Sequence, residues 1–289
     1  MSTDQVERQP DVRALARFLV GGETVAGLVS ADRLNEVAGE WEDHLARWAQ
    51  GEPDLELTGR SWQLEQGDVL VPASEQARGL FCVGMNYGAH RDEVDASLGQ
   101  YEKGWAVIFS KMSESLAAAG QVLELTAALS SEFDWEVELG VVIGQGGRRI
   151  SGDRAFDHVS GYTLVNDVTA RDVQRAHSQW FLGKNVHRSS PVGPWVIYRD
   201  DLGYPPEVSL RLSVNDDVKQ HASTADMIHA IPDLIEAISA HVELQVGDII
   251  ATGSPAGVGF TRVPPEFLAS GDIMRAEIVG YMSLENAIS

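Results

Sequence analysis

With 289 residues and 44% hydrophobic content, the chain has enough apolar material for one large domain, or a large one with a small appendage. Its 43 acidic against 22 basic residues give a net charge of −21, which repels nucleic acid and anionic membrane surfaces. The single cysteine, Cys82, excludes an intrachain disulfide and a cysteine-built zinc site, and its setting L-F-C-V-G predicts a buried, inert thiol.

Residues 1–11 are polar and acidic, and the expectation is a disordered N-terminus with no signal peptide. No run reaches the about 18 apolar residues of a membrane span, so a soluble, cytoplasmic protein is expected. Residues 12–75 predict a small α+β unit. A-R-F-L-V and V-A-G-L-V, joined through G-G-E-T, form a hairpin pattern, and a helix is expected over Leu34–Gln50, where Trp41, Leu45 and Trp48 recur at helical spacing. Those aromatics fit core packing better than a ligand box. Val71-Pro72 begins the join to a main domain spanning 76–289.

In the main domain short apolar runs alternate with Gly, Pro, Asn and Asp: L-F-C-V-G-M-N-Y, W-A-V-I-F-S, W-E-V-E-L-G-V-V-I, G-Y-T-L-V-N-D, V-S-L-R-L-S-V and G-D-I-I-A-T-G. One clear helix stands among them, M-I-H-A-I-P-D-L-I-E-A-I-S-A-H, with Pro232 near its first turn. Many strands with few helices predict a β-rich α+β fold, a sandwich or roll, rather than a doubly wound sheet.

Several familiar motifs are missing. Gly144-Gln145-Gly146-Gly147 starts like a dinucleotide fingerprint, but Arg149 takes the third glycine position and no apolar helix follows. There is no P-loop, no G-x-S-x-G elbow and no H-E-x-x-H.

The acidic residues are more informative. In F-D-W-E-V-E-L-G-V-V-I-G, a strand places Glu136 and Glu138 on one face, because side chains alternate. Asp134 shares that parity, and a run of this kind is also what a solvated strand face looks like. Asp167 follows a second apolar run, G-Y-T-L-V-N. Three carboxylates brought together repel one another and need a cation, and an all-oxygen set suits Mg²⁺ or Mn²⁺.

Other residues can serve such a centre. His90 and Glu93, three apart in N-Y-G-A-H-R-D-E, share a face on a helical turn, as a general acid/base and its orienting carboxylate or as a surface ion pair. Asp167, Arg171 and Gln174 follow a helical period. Lys184, beside W-F-L-G, can grip a carboxylate or stabilise a developing enolate, or it is an ordinary solvated lysine. Gly253–Gly259 can cradle a carboxylate on free N–H groups or be a plain Gly-Pro turn.

Taken in order, C-V-G-M-N-Y-x-x-H-x-x-E, F-x-K, D-W-E-V-E-L-x-V-V-I-G, G-Y-T-x-x-N-D-V-x-A-R-D-x-Q, G-K, P-x-G-P-W and G-D-I-I-x-T-G-S-P-x-G-V-G resemble the fumarylacetoacetate hydrolase family, from about Gly79 to the C-terminus. The resemblance implies a β-rich roll, often a homodimer, with Glu136, Glu138 and Asp167 as Mg²⁺ or Mn²⁺ ligands. It implies that His90 and Glu93 sit on a lid and activate water, that Lys184, Arg171, Gln174 and Lys111 contact the substrate or support the metal, and that Thr252 and Ser254 hold a substrate carboxylate. Departures fall near the substrate: Asn185-Val186-His187-Arg188 after the lysine, F-S-K-M in the lysine strand, and a lid segment Asp95–Gly104 that is not proline-rich.

The activity so implied is hydrolytic cleavage of a carbon–carbon bond in an acylpyruvate, fumarylpyruvate or other 1,3-dicarbonyl or 2-oxo acid. Decarboxylation of oxaloacetate and isomerisation of unsaturated oxo acids use the same residues and stand as alternatives, with a non-catalytic oxo-acid-binding protein behind them.

Overall fold

The structure, a computed structural model, describes residues 12–74, 77–98 and 106–289. The expectation of disorder for 1–11, and the lid segment beyond residue 98, lie outside the described residues. Among the described residues, twelve strands form the large sheet. At its centre Val137–Ile143 runs between Val159–Asn166 and Ile249–Ala251, antiparallel to both. Val, Ile and Leu fill these strands because both faces of the sheet are covered, and all seven residues of Val137–Ile143 are buried. A second sheet of four strands orders Asp217–Ser223, Ser209–Val214, Ile273–Ile278 and Met282–Ala287. These sheets, with few helices among the described residues, match the expected β-rich fold.

The expected hairpin is present: Ala14–Val20 pairs antiparallel with Glu23–Ser30, and Val20 faces Glu23 across Gly21-Gly22. Both glycines have positive φ, as a two-residue hairpin turn requires. This segment continues the large sheet, since Ala14 pairs with Ile197 and Leu15 with Val196 of the strand Ser190–Tyr198. Backbone hydrogen bonding therefore runs from the N-terminal hairpin into the main part of the chain.

The expected helix over Leu34–Gln50 is shorter than its pattern. It covers Trp41–Ala49, and Leu34 belongs to the strand Arg33–Val37. Leu34 and Glu36 both turn inward there, and Glu36 is ion-paired with Arg60 of the next strand. Gly39, at φ 113°, separates strand from helix. The aromatic stripe is core as expected, with Trp41, Leu45 and Trp48 buried. The later helix begins at Ile231, so Pro232 falls in its first turn, where its missing N–H has no intrahelical partner to lose. Among the described residues no helix is long and apolar enough to cross a membrane.

Candidate metal centre and active site

The acidic strand is interrupted just before the centre. Phe133–Asp134 pairs with Thr169–Ala170, the chain then breaks at Trp135-Glu136, and the main strand starts at Val137. Glu136 is thus outside the strand expected to carry it, and its N–H donates to Asn166 Oδ1 at 3.0 Å. Alternation nevertheless survives the break. The neighbouring strand pairs Asn166 with Val137, and the next amide, of Asp167, donates to Glu136 O at 2.8 Å. This pairing brings an aspartate from far along the chain opposite the two glutamates. One oxygen each of Glu136, Glu138 and Asp167 lie within 4.8 Å of one another, and the residues are 5%, 2% and 0% exposed.

Buried cations hold two of the three carboxylates. Lys184 Nζ donates to Glu136 Oε2 at 2.5 Å and to Asp167 Oδ2 at 2.6 Å. Lys111 Nζ donates to Asp167 Oδ1 at 2.6 Å and to Val168 O at 2.9 Å. Arg171 spreads across Asp134 Oδ2 through Nε (2.8 Å), Glu136 Oε1 through Nη2 (2.6 Å) and Gln174 Oε1 through Nη1 (3.2 Å). The helix it starts is Arg171–Ala176, so Asp167 precedes the helix and shares no helical face with Arg171; each instead meets the cluster around Glu136, Arg171 directly and Asp167 through Lys184. Lys184 reaches the cluster because its short helix packs against this one at Gly183, where a Cβ would lie 2.7 Å from Gln174 N.

Glu138 differs from the other two. Its carboxylate accepts a hydrogen bond from Gly253 N at 2.8 Å, and among the described residues no cation is ion-paired with it. Burial, then the Asp167 and Glu136 charges, push its carboxyl well above the usual range. Burial acts the same way on Glu136, but Arg171 and Lys184 outweigh it and hold that carboxyl well below normal. Burial lowers Lys111, which faces Asp167 alone, whereas Lys184 faces both Asp167 and Glu136 and is raised despite burial. Four buried carboxylates (Asp134, Glu136, Glu138 and Asp167) thus meet three cations, Lys111, Lys184 and Arg171. The residues fit a hard divalent ion: the donors are oxygen, each retains a lone pair, and the one carboxylate without a cation faces the other two.

His90 and Glu93 lie on the helix Gly88–Leu98, with Nδ1 to Oε1 at 2.7 Å. Glu93 also accepts Gly257 N, at 3.1 Å to Oε2. His90 lines a cavity of about 410 Å³ together with Glu136, Glu138, Asp167, Lys184 and Ser254. That volume suits a small metabolite. Phe109 lies under Lys184 at 4.9 Å and packs edge-on against Trp180, whose ring crowds Gly84 and closes one wall.

Sequence expectation and structure diverge at four points. Lys111 is fully buried behind Asp167 and is not among the residues lining the cavity. Thr252 is also fully buried, its hydroxyl donating to Leu139 O at 3.0 Å. The loop Gly253–Gly259 does not offer all its N–H groups to a ligand: Gly253 gives its own to Glu138, Gly257 to Glu93, and Gly259 to Asp134 at 2.6 Å. Gly253 can do so because, at φ 102° and with a would-be Cβ 2.6 Å from Asn86, only glycine fits there. Asp134, read as compatible with a solvated face, is fully buried and ties this loop to Arg171. Its parity with Glu136 and Glu138 was the signal that could have found it. Gln174, by contrast, lines the cavity as well as meeting Arg171.

The fold and this site define a class. The chain belongs to the family described as "Fumarylacetoacetate (FAA) hydrolase C-terminal", whose match spans residues 79–289. Over 244 residues, 84% of this chain and 80% of its relative, it is 38% identical to oxaloacetate tautomerase YisK of Bacillus subtilis (strain 168). Among solved structures it resembles the fumarylacetoacetate hydrolase of Exiguobacterium antarcticum, with 31% identity and a TM-score of 0.81 over 96% of this chain and 99% of that one. It is also similar to 5-carboxymethyl-2-hydroxymuconate delta-isomerase from Mycobacterium smegmatis, with 31% identity and a TM-score of 0.79, covering 95% and 98%.

Proposed function

We propose that this protein is a divalent-metal-dependent enzyme that moves a proton on a 2-oxo acid, a keto–enol tautomerase or isomerase. The observation that carries the reading is His90, oriented by Glu93, lining the same cavity as three converging carboxylates that, together with the buried Asp134, outnumber the three buried cations beside them. Glu136, Glu138 and Asp167 would hold the ion. When bound, it supplies Lewis acidity that makes the C–H beside the oxo group easier to ionise.

This chain's own residues do the rest. Glu93 engages His90 Nδ1 and leaves Nε2 for proton transfer. His90 takes the proton from the carbon as the C–H pair becomes a C=C bond, then returns it to the former carbonyl oxygen, so no atom is gained or lost. Lys184, kept protonated by Glu136 and Asp167, adds positive charge where the substrate oxygen becomes more negative. Arg175 and His177 also line the cavity and suit a second carboxylate on the substrate. The similarity to a tautomerase and to a muconate isomerase supports the reading.

Hydrolytic C–C cleavage, the activity expected first from the sequence, is the second reading, favoured by the similarity to a fumarylacetoacetate hydrolase. It requires His90 to take its proton from water instead. Product analysis with Mg²⁺ or Mn²⁺ separates the readings. Solvent-deuterium exchange at the carbon beside the oxo group, with no fragmentation of oxaloacetate or acylpyruvates, supports the tautomerase; two acids from an acylpyruvate, or CO₂ from oxaloacetate, would overturn it.

A further inference from the structure

Gln220 lies on the strand Asp217–Ser223 of the four-stranded sheet, buried, and its side chain reaches the loop of the large sheet that carries Ser254. Its amide makes three hydrogen bonds. Oε1 accepts Val137 N–H at 2.9 Å, while Nε2 donates to Pro255 O and to Ser254 Oγ, both at 2.7 Å. The orientation of the amide is fixed by chemistry: a backbone N–H can only donate and a carbonyl can only accept, so oxygen must face Val137 and nitrogen must face Pro255. Both Nε2 hydrogens are then committed, one to Pro255 and one to Ser254. Ser254 Oγ is therefore an acceptor on that side, and its own proton has to point elsewhere. Ser254 lines the cavity, and no hydrogen bond donated by Oγ is found among the described residues.

We infer that Gln220 is a positioning residue that fixes the polarity of Ser254, turning the hydroxyl proton toward the substrate so that this wall of the cavity accepts an anionic oxygen. The inference rests on the 2-oxo acid reading above. Gln220 does not line the cavity, so it acts through Ser254. Without it the hydroxyl is free to turn its proton to Pro255 O or another acceptor, and the oxygen it then shows the substrate repels a carboxylate.

The test is a double-mutant cycle on the Mg²⁺-loaded protein, with calorimetric binding of oxalate and steady-state turnover of oxaloacetate as the two readouts. Gln220→Met and Ser254→Ala should each weaken oxalate and raise KM on the order of 10- to 100-fold, the weight of a hydrogen bond to a charged group. kcat should change much less, since the lost contact is made in the ground state too. The double variant should be no worse than Ser254→Ala alone. Thermal unfolding and metal titration of each variant separate lost substrate binding from collapse. Should Gln220→Met not fold, Gln220→Glu keeps the acceptor for Val137 N–H and draws the Ser254 proton to itself, with the same effect on KM. Additive losses, or a Gln220→Glu protein that binds oxalate like the parent, would overturn the assignment of Gln220 alone. A parent protein that binds metal but neither oxalate nor any oxo acid would overturn the functional reading, and this inference with it.

Discussion

Replacing Glu138 and Glu136 one at a time by Gln should give opposite results in metal-free protein, although both are expected to ligate the ion. Glu136 is held by Arg171 and Lys184, so Glu136→Gln leaves two buried cations short of a partner and should cost about 3–5 kcal/mol. Glu138 has no ion pair among the described residues. Its oxygen lies within 4.8 Å of both other carboxylates, where unit charges at an effective dielectric of 20 repel by about 3–4 kcal/mol per pair. A glutamine there removes that repulsion and keeps an acceptor for Gly253 N–H, so Glu138→Gln should leave the metal-free stability within about 1 kcal/mol of the parent. Both variants should lose Mg²⁺ or Mn²⁺ affinity by more than about 100-fold, the upper end for groups that only orient ligands. Urea unfolding in chelator, paired with calorimetric metal titration, reads both quantities. A Glu138→Gln protein destabilised without metal as much as Glu136→Gln, or either variant binding metal like the parent, would refute this assignment of charge.

Three further outcomes are expected. His90→Asn should slow proton transfer by about 10²–10⁴-fold while metal affinity stays unchanged, and Glu93→Gln should fall between it and the parent; exchange rates followed by NMR decide this. Glu138 is raised above its unfolded value, so its contribution to metal-free stability is full at pH below the unfolded carboxylate pKa and is lost as pH rises through the folded one. Unfolding midpoints in chelator should therefore fall with rising pH relative to a Glu138→Gln control, and metal affinity should rise over the same window with release of a proton. Arg175→Gln should raise KM for oxaloacetate about 10-fold more than for pyruvate, and equal effects on the two substrates would exclude Arg175 as the contact for a second carboxylate.

The parts legible in the sequence are those set by local rules. Period-2 alternation put Glu136 and Glu138 on one face, the Gly21-Gly22 turn and the Trp41, Leu45 and Trp48 stripe were visible directly, and His90 and Glu93 meet at helical spacing. Long-range pairing hid the rest. Leu34–Val37 looked helical because apolar spacing over so short a run fits either period, and only the partner strand Leu57–Gln63 decides it. Asp134 and Gln220 sit in runs whose polarity suggests solvent, yet each is buried because a loop from another part of the chain closes over it with matching N–H and C=O groups. No local pattern reveals that Gly253 and Gly259 give their amides to Glu138 and Asp134 of the acidic run while Gly257 gives its own to Glu93 on a distant helix.

The pairing of Ala14–Val20 with Ser190–Tyr198 has a practical corollary. Trimming the protein at residue 79 to keep only its family-matching portion would bare part of a nine-residue strand, all of it apolar or small and all now interior. Strands so uncovered recruit neighbours edge to edge, so the shortened chain would be prone to clump even with every metal ligand intact.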